Sequence, residues 1–297
     1  MFERRNFAWP GGFGANGAVI FLGLFLMSTR CAQAQLAAPE RSAAAATDRK
    51  GQPNPAGEAK ANSLGAPFAR VGNVEFCVWL TRVKDFRVFR SEVQLENSKW
   101  QQTGFAQAED HPVVNVSWND AMEFCRWLTD REHRSGVLPA EQIYRLPTDL
   151  EWSAAVGLPP EAGATPEKRD MGFPGVYPWG TLWPPPSDAG NYTGQETKSD
   201  VAIKDFDDGF RWTSPVGAFL ANKYGLYDMG GNVWQWCMDD WAQGSTKKVL
   251  RGASWYNGAL KLSLLSSCRV NASPDSATDN YGFRVVRATE PPNKDAK

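Results

Sequence analysis

Residues 225–241 hold three tryptophans, three glycines and three aspartates in seventeen positions, a mixture suited to neither a regular helix nor a regular strand. Gly230, Gly231 and Asn232 tolerate positive φ, so the backbone turns tightly there and leaves carbonyl groups pointing outward. Asp228 stands just before that turn and Gln235 just after it. Their side-chain oxygens, with the carbonyls of Gly231 and Val233, form an all-oxygen set of the kind that holds a hard cation, above all calcium. The alternative is a glycine-rich turn followed by core tryptophans, with no ion.

The thiols are the second group with chemical potential. Cys77, Cys125, Cys237 and Cys268 follow an N-terminal stretch that reads as an export signal. Arg4-Arg5 makes a positive start, residues 18–27 are an apolar run, and Ala32-Gln33-Ala34 is a small-residue cleavage pattern. Residues 1–34 are therefore expected to direct export by the general secretory route, and Arg4-Arg5-Asn6-Phe7 also matches part of a twin-arginine signal. The apolar run is too short to span a bilayer, so no membrane span is expected after cleavage, and the destination is the periplasm or the medium. An oxidising compartment lets thiols pair. Four cysteines allow three full connectivities; Cys125 falls on an apolar helix face and reads as a small buried hydrophobe, and Cys237 with Cys268 is the preferred pair.

Composition narrows the partners. Thirty-two basic and 33 acidic residues nearly balance, which argues against nucleic acid because phosphate binding needs a basic stripe. A monomer is expected. No nucleophile elbow, phosphate-binding glycine loop or dinucleotide fingerprint is present. The adjacent pairs Asp207-Asp208 and Asp239-Asp240 do not form acid–base dyads by themselves, since neighbours on an extended chain point to opposite sides.

The elements that must position these groups begin after a tether, residues 35–62, rich in Ala, Pro, Gly and charge. Phe76, Val78 and Leu80 alternate as in a half-buried strand, and Thr81 is placed to cap a helix carrying Val83, Phe86 and Phe89. Residues 111–116 read as a second strand. Ser117 with Asp120 then makes a capping box for a helix to about residue 133, burying Ala121, Phe124, Cys125 and Leu128. His133 supplies a favourable charge at its end. Thr148 with Glu151 caps another helix, stopped by Gly157 and Pro159. Residues 159–216 are loop-rich, which calls for something other than ladders to hold them, and bound ions are one solution. Trp234 and Trp236 give a strand with an aromatic face; residues 249–255 and 281–287 read as further strands, and 289–297 as a disordered tail.

Several long motifs in one order carry a resemblance. They are Pro112-Val-Val-Asn-Val-Ser-Trp-Asn-Asp-Ala121, Tyr144-Arg-Leu-Pro-Thr-Asp-Leu-Glu-Trp152, Asp228-Met-Gly-Gly-Asn-Val-Trp-Gln-Trp236, Val249-Leu-Arg-Gly-Ala-Ser-Trp255 and Tyr281-Gly-Phe-Arg-Val-Val286. Over residues 64–288 the chain resembles the sulfatase-modifying-factor family of the formylglycine-generating enzymes. The resemblance implies an α+β fold: a single irregular, loop-rich domain, here 63–288, like the elaborated C-type-lectin-like fold of that family. It also implies two calcium sites. Asn191, Tyr192, Asp208 and Phe210 match the first; Asp228, Gly231, Val233 and Gln235 match the second, where Gln235 replaces the glutamate usual in the family and removes one negative charge.

The family's oxidases hold copper(I) between two cysteines, the first three residues beyond the active-site serine and the second five further on. Counted from Ser254, which matches that serine, these positions are Asn257 and Leu262. An amide and an aliphatic side chain cannot form a bis-thiolate site, so copper is not expected. The iron-dependent sulfoxide synthases of the family need three histidines on a helical domain, and this chain has two, His111 and His133. A pyoverdine-maturation branch shares export and similar length. The reading that follows is an exported, calcium-stabilised accessory module whose cleft at Ser254, Trp255 and Asn257 takes a peptide or small-molecule ligand. The alternative is an oxidoreductase of the same family with different site chemistry.

Overall fold

The computed structural model describes residues 61–94 and 99–289. The expected export signal, most of the tether and most of the C-terminal tail lie outside the described residues. Asn62 already belongs to the folded region: it is buried, and its Oδ1 accepts from the amides of Leu64 and Ala66 at 3.0 and 2.9 Å.

Among the described residues, eight strands form two four-stranded sheets. In the first, β1 (Phe68–Val71), β2 (Val74–Cys77), β8 (Val286–Thr289) and β3 (Gln142–Arg145) run in the order β1-β2-β8-β3, all antiparallel. In the second, β4 (Trp234–Asp240), β5 (Lys248–Arg251), β6 (Arg269–Ala272) and β7 (Tyr281–Gly282) take the order β6-β5-β4-β7, with only the β4–β7 pair parallel. Among the described residues, three α-helices of two turns or more, α1 (Val83–Val93), α2 (Trp118–Ser135) and α3 (Asp149–Val156), precede a long irregular stretch holding only the single-turn α4 (Pro166–Arg169) and a short 3-10 turn. The α+β, loop-rich expectation describes this architecture. No described helix is long and apolar enough to cross a membrane.

Local chemistry explains where elements begin and stop. Ser117 Oγ accepts from the amide of Asp120, whose carboxylate accepts from the amide of Ser117, and Gly136 closes α2 in the left-handed region. Thr148, Glu151 and Gly157 do the same for α3. The N-cap of α1 is Arg82 rather than Thr81, because Thr81 is drawn into backbone bonds with Phe283 and Val113. The strand expected at 111–116 reduces to an isolated bridge at Pro112; Asn115, at φ 55°, takes the chain out of extended geometry. Residues 281–287 are two strands, not one, and they lie in different sheets. Thr289, expected in the tail, is the last residue of β8.

The core is aromatic. Phe86 and Phe89 of α1 meet Phe124 and Trp127 of α2, with Phe89–Trp127 centroids 5.4 Å apart and Phe283 5.4 Å from Phe124. Strand β4 is buried on both faces: Trp234 and Trp236 enter that cluster, while Cys237 packs with Trp152, Val249 and Val286.

A buried ion hub joins the second sheet to the helices. Asp149, the first residue of α3, is fully buried and receives Arg251 of β5, Arg269 of β6 and Arg169 of α4 at 2.5, 2.9 and 3.0 Å. Arg269 also pairs with Glu161 at 2.5 Å, and Arg251 donates to the carbonyls of Ser266 and Cys268. Burial by itself raises the Asp149 pKa, but Arg251, Arg269 and Arg169 outweigh it and hold the carboxyl below its ordinary value of 3.8. Asp149→Asn is expected to cost about 3–5 kcal/mol, since removing one partner strands buried charge; urea denaturation of both proteins measures it. Because the folded carboxyl ionises below 3.8, its contribution is present above that value and fades as pH falls through the lower folded pKa.

Candidate functional site

The turn at 228–235 is built as its residues dictate. Asp228, Gly231 and Asn232 all have positive φ, at 54°, 76° and 61°. A Cβ on Gly231 would lie 2.5 Å from the carbonyl oxygen of Asn191, so only glycine admits this approach. The amide of Asn232 donates to that same carbonyl at 2.9 Å, which ties the turn to the irregular stretch.

The first oxygen set comes together. Asn191 is fully buried; its Nδ2 donates to the carbonyl of Trp212 at 2.7 Å, and its Oδ1 has no partner. Asp208 is buried and accepts from the amides of Tyr192 and Phe210 at 2.7 and 2.8 Å. Among the described residues no basic side chain forms an ion pair with it. Burial pushes its pKa up to about 8 against the lowering by those two amides, with a smaller upward contribution from the Glu196 and Asp207 carboxylates. A partnerless buried amide oxygen beside an unneutralised buried carboxylate is the environment that a hard cation completes. These are the residues that would hold a calcium ion, Asn191 and Asp208 through side-chain oxygens and Tyr192 and Phe210 through main-chain carbonyls.

The second set differs. Asp228 Oδ2 accepts from the amide of Gly217 at 2.9 Å, and Oδ1 is buried and partnerless. Gln235 Oε1, however, already accepts from Arg284 Nε at 2.8 Å and Trp152 Nε1 at 3.2 Å, and its Nε2 donates to the Asp228 carbonyl at 2.9 Å. Gln235 as a calcium ligand does not fit: its oxygen is spent and its nitrogen faces the turn. Arg284, fully buried, donates to the carbonyls of Cys77, Val78, Tyr227 and Asp228.

The cleft residues are packed rather than open. Ser254 is fully buried; its Oγ and amide both donate to Asn257 Oδ1, at 2.9 and 3.0 Å, and Asn280 Nδ2 donates to the same Oγ. The serine closes a turn begun by Ala253 at φ 62°. Trp255 is buried, donates to the Asp279 carbonyl, and carries Trp212, Phe105 and Tyr256 around its ring with centroids 4.9, 5.7 and 5.6 Å away. Tyr256, on this cluster, is 65% exposed, and Leu260 and Leu262, which follow it in the chain, are 67% and 50% exposed. Val201, also exposed, adjoins them through its carbonyl, which accepts from Ala259.

The two positions that would hold copper do not fit it. Asn257 is committed to Ser254, and Leu262 has no donor atom. Cys268 is buried, and burial pushes its thiol up to about 12. The expected Cys237–Cys268 disulfide is not formed: both are free, and β5 runs between β4, which holds Cys237, and β6, which Cys268 precedes. Two strand spacings, about 9.6 Å, exceed the reach of a disulfide. Cys77 and Cys125 are free and buried as well. Two features escaped the sequence. One is the Asp149 hub; the other is a cavity of about 480 Å³ beside the turn, lined by Tyr177, Pro178, Trp179, Phe219, Lys223 and Asp228 among others.

Comparison with known proteins places these observations. A model of the sulfatase-modifying factor enzyme 1-like domain matches residues 47–289. The inactive C-alpha-formylglycine-generating enzyme 2 of Bos taurus is 35% identical over 213 residues, covering 67% of this chain and 60% of that protein. The formylglycine-generating enzyme of Thermomonospora curvata is 31% identical over 200 residues, covering 60% of this chain and 55% of its own length. The chain thus spans no more than 60% of either relative. Among solved structures, that of PvdO from Pseudomonas aeruginosa superposes with a TM-score of 0.51 at 21% identity, over 72% of this chain and 80% of that one, a likeness of fold.

The thiol geometry makes a prediction. Native protein is expected to leave Cys77, Cys125, Cys237 and Cys268 unalkylated by iodoacetamide, while denaturant without reductant exposes all four, as read by peptide mass spectrometry. A Cys237–Cys268 bond would instead keep that pair blocked until reductant is added.

Proposed function

The chain belongs to the sulfatase-modifying factor enzyme 1-like family, and we propose that it is a non-catalytic, exported member: a calcium-stabilised module that binds a peptide segment rather than oxidising a cysteine. The observation that carries this reading is the pair of side chains at the thiolate positions. Asn257 and Leu262 offer no soft ligand, and the matching serine is buried in a turn with Asn257 and Asn280 on its polar atoms. The relationship to a protein named as an inactive formylglycine-generating enzyme supports the same reading.

Binding is assigned to the aromatic and aliphatic surface at Trp212, Tyr256, Leu260, Leu262 and Val201. Large amphipathic rings held from behind by a buried tryptophan lose little freedom when a ligand packs on them. Residues 159–216 supply much of the surrounding wall and have few ladders, so calcium at Asn191 and Asp208 is what keeps this surface in one conformation.

Two measurements test the proposal. Excess EGTA is expected to lower the thermal midpoint of wild type and to leave that of Asn191→Ala unchanged; equal midpoints with and without chelator, metal removal being confirmed, would contradict the calcium part. Selection of a random peptide phage library on the wild-type chain is expected to enrich clones whose affinity drops tenfold or more on Tyr256→Ala/Trp212→Ala. Clones that bind both proteins equally would place the binding surface elsewhere.

A further inference from the structure

We infer that the second cation position of the turn, beside Asp228, is held by the protein's own Arg284 and Gln235, so that this chain takes a single calcium ion where the two oxygen sets of its sequence suggest two. The inference deepens the proposed calcium dependence and rests on that reading for the first ion only.

Two fixed donors decide the orientation of the Gln235 amide. The Arg284 Nε–H and the Trp152 Nε1–H both point at one atom, at 2.8 and 3.2 Å, and that atom must therefore be the oxygen. The amide nitrogen is left to face the Asp228 carbonyl at 2.9 Å. An N–H group cannot ligate a metal, and its partial positive charge repels one. Rotation is blocked as well, because turning the amide over would set an N–H donor against both the guanidinium and the indole N–H.

The guanidinium does the rest. Arg284 is fully buried and spends its remaining donors on four carbonyls, those of Cys77, Val78, Tyr227 and Asp228. These carbonyls fix the guanidinium beside the turn, and the Asp228 carboxylate, the one charged group of the second oxygen set, already acts on that positive charge. A divalent ion placed here meets a like charge in a medium of low dielectric. Gly252 packs the arrangement closely: a Cβ there would stand 3.1 Å from Gln235 Nε2 and 3.2 Å from the Met229 carbonyl. A glutamate at 235 changes one atom with large effect. One carboxylate oxygen keeps Arg284 and Trp152, and the other becomes a negatively charged ligand beside Asp228.

Calcium stoichiometry on the full chain, by equilibrium dialysis with radioactive calcium, tests this. Wild type is expected to bind one equivalent and Gln235→Glu two, with the added equivalent lost in Gln235→Glu/Asp228→Asn. Two equivalents in wild type overturn the inference while leaving the calcium dependence intact, and no gain in a folded Gln235→Glu overturns it too. None in wild type but one in Gln235→Glu supports the inference and removes the ion assigned to Asn191 and Asp208. Should Gln235→Glu fail to fold, Asp228→Asn in the wild-type background carries the test: unchanged stoichiometry supports the inference, and loss of an equivalent overturns it.

Discussion

Three guanidinium groups converge on the single carboxylate of Asp149 where no solvent reaches. Charges so placed are tolerable only when each finds its partner, and here that condition fixes four separate segments at once. Arg251 and Arg269 bring the neighbouring strands β5 and β6 to the start of α3; Arg169 brings in the irregular stretch through α4. The helix N-terminus adds its own electrostatic preference for an anion at that point. Much of this domain has no ladder, so a hub of charge takes the place that regular hydrogen bonding fills elsewhere.

The same logic extends to the turn. Asn191, Asp208 and Asp228 are buried polar groups with an oxygen left over or a charge left unneutralised. Buried polar atoms are costly when unpaired, so each such group needs a partner. At Asp149 the partners are arginines. Near Asp228 the buried guanidinium of Arg284 supplies the opposite charge without bonding the carboxylate, and at Asn191 and Asp208 the proposed partner is a calcium ion. The interior charge pairing of this chain involves neither Asn257 nor Leu262.

How much of this could be read in advance depended on the range of the interaction. Capping by Ser117 with Asp120 and by Thr148 with Glu151 acts over three residues, and both were legible, as was the stop at Gly157. The alternation of Trp234 and Trp236 placed β4. Ion pairs that span 102 or 120 residues leave no periodic trace, so the Asp149 hub was invisible. Apolar runs misled where the backbone breaks: Asn115 at φ 55° ends the strand expected at 111–116, and Gly252 with Ala253 at φ 62° stops β5 at Arg251. Oxygen-bearing residues at the turn were found by type and spacing, yet whether Gln235 has an oxygen to give depends on Arg284, forty-nine residues away. The disulfide expectation failed for the same reason, since strand order β6-β5-β4 is not written in the spacing of cysteines.

The central claim is that the fold is retained while the two-thiolate chemistry is gone. Its most direct test is an anaerobic copper(I) titration of the full chain against a competing chelator, followed by oxygen uptake with a cysteine-containing peptide and mass analysis of that peptide. The account predicts no tight one-to-one copper binding, no oxygen consumption above the copper blank, and a peptide cysteine that stays a thiol. Stoichiometric copper binding with conversion of the cysteine to formylglycine would contradict it.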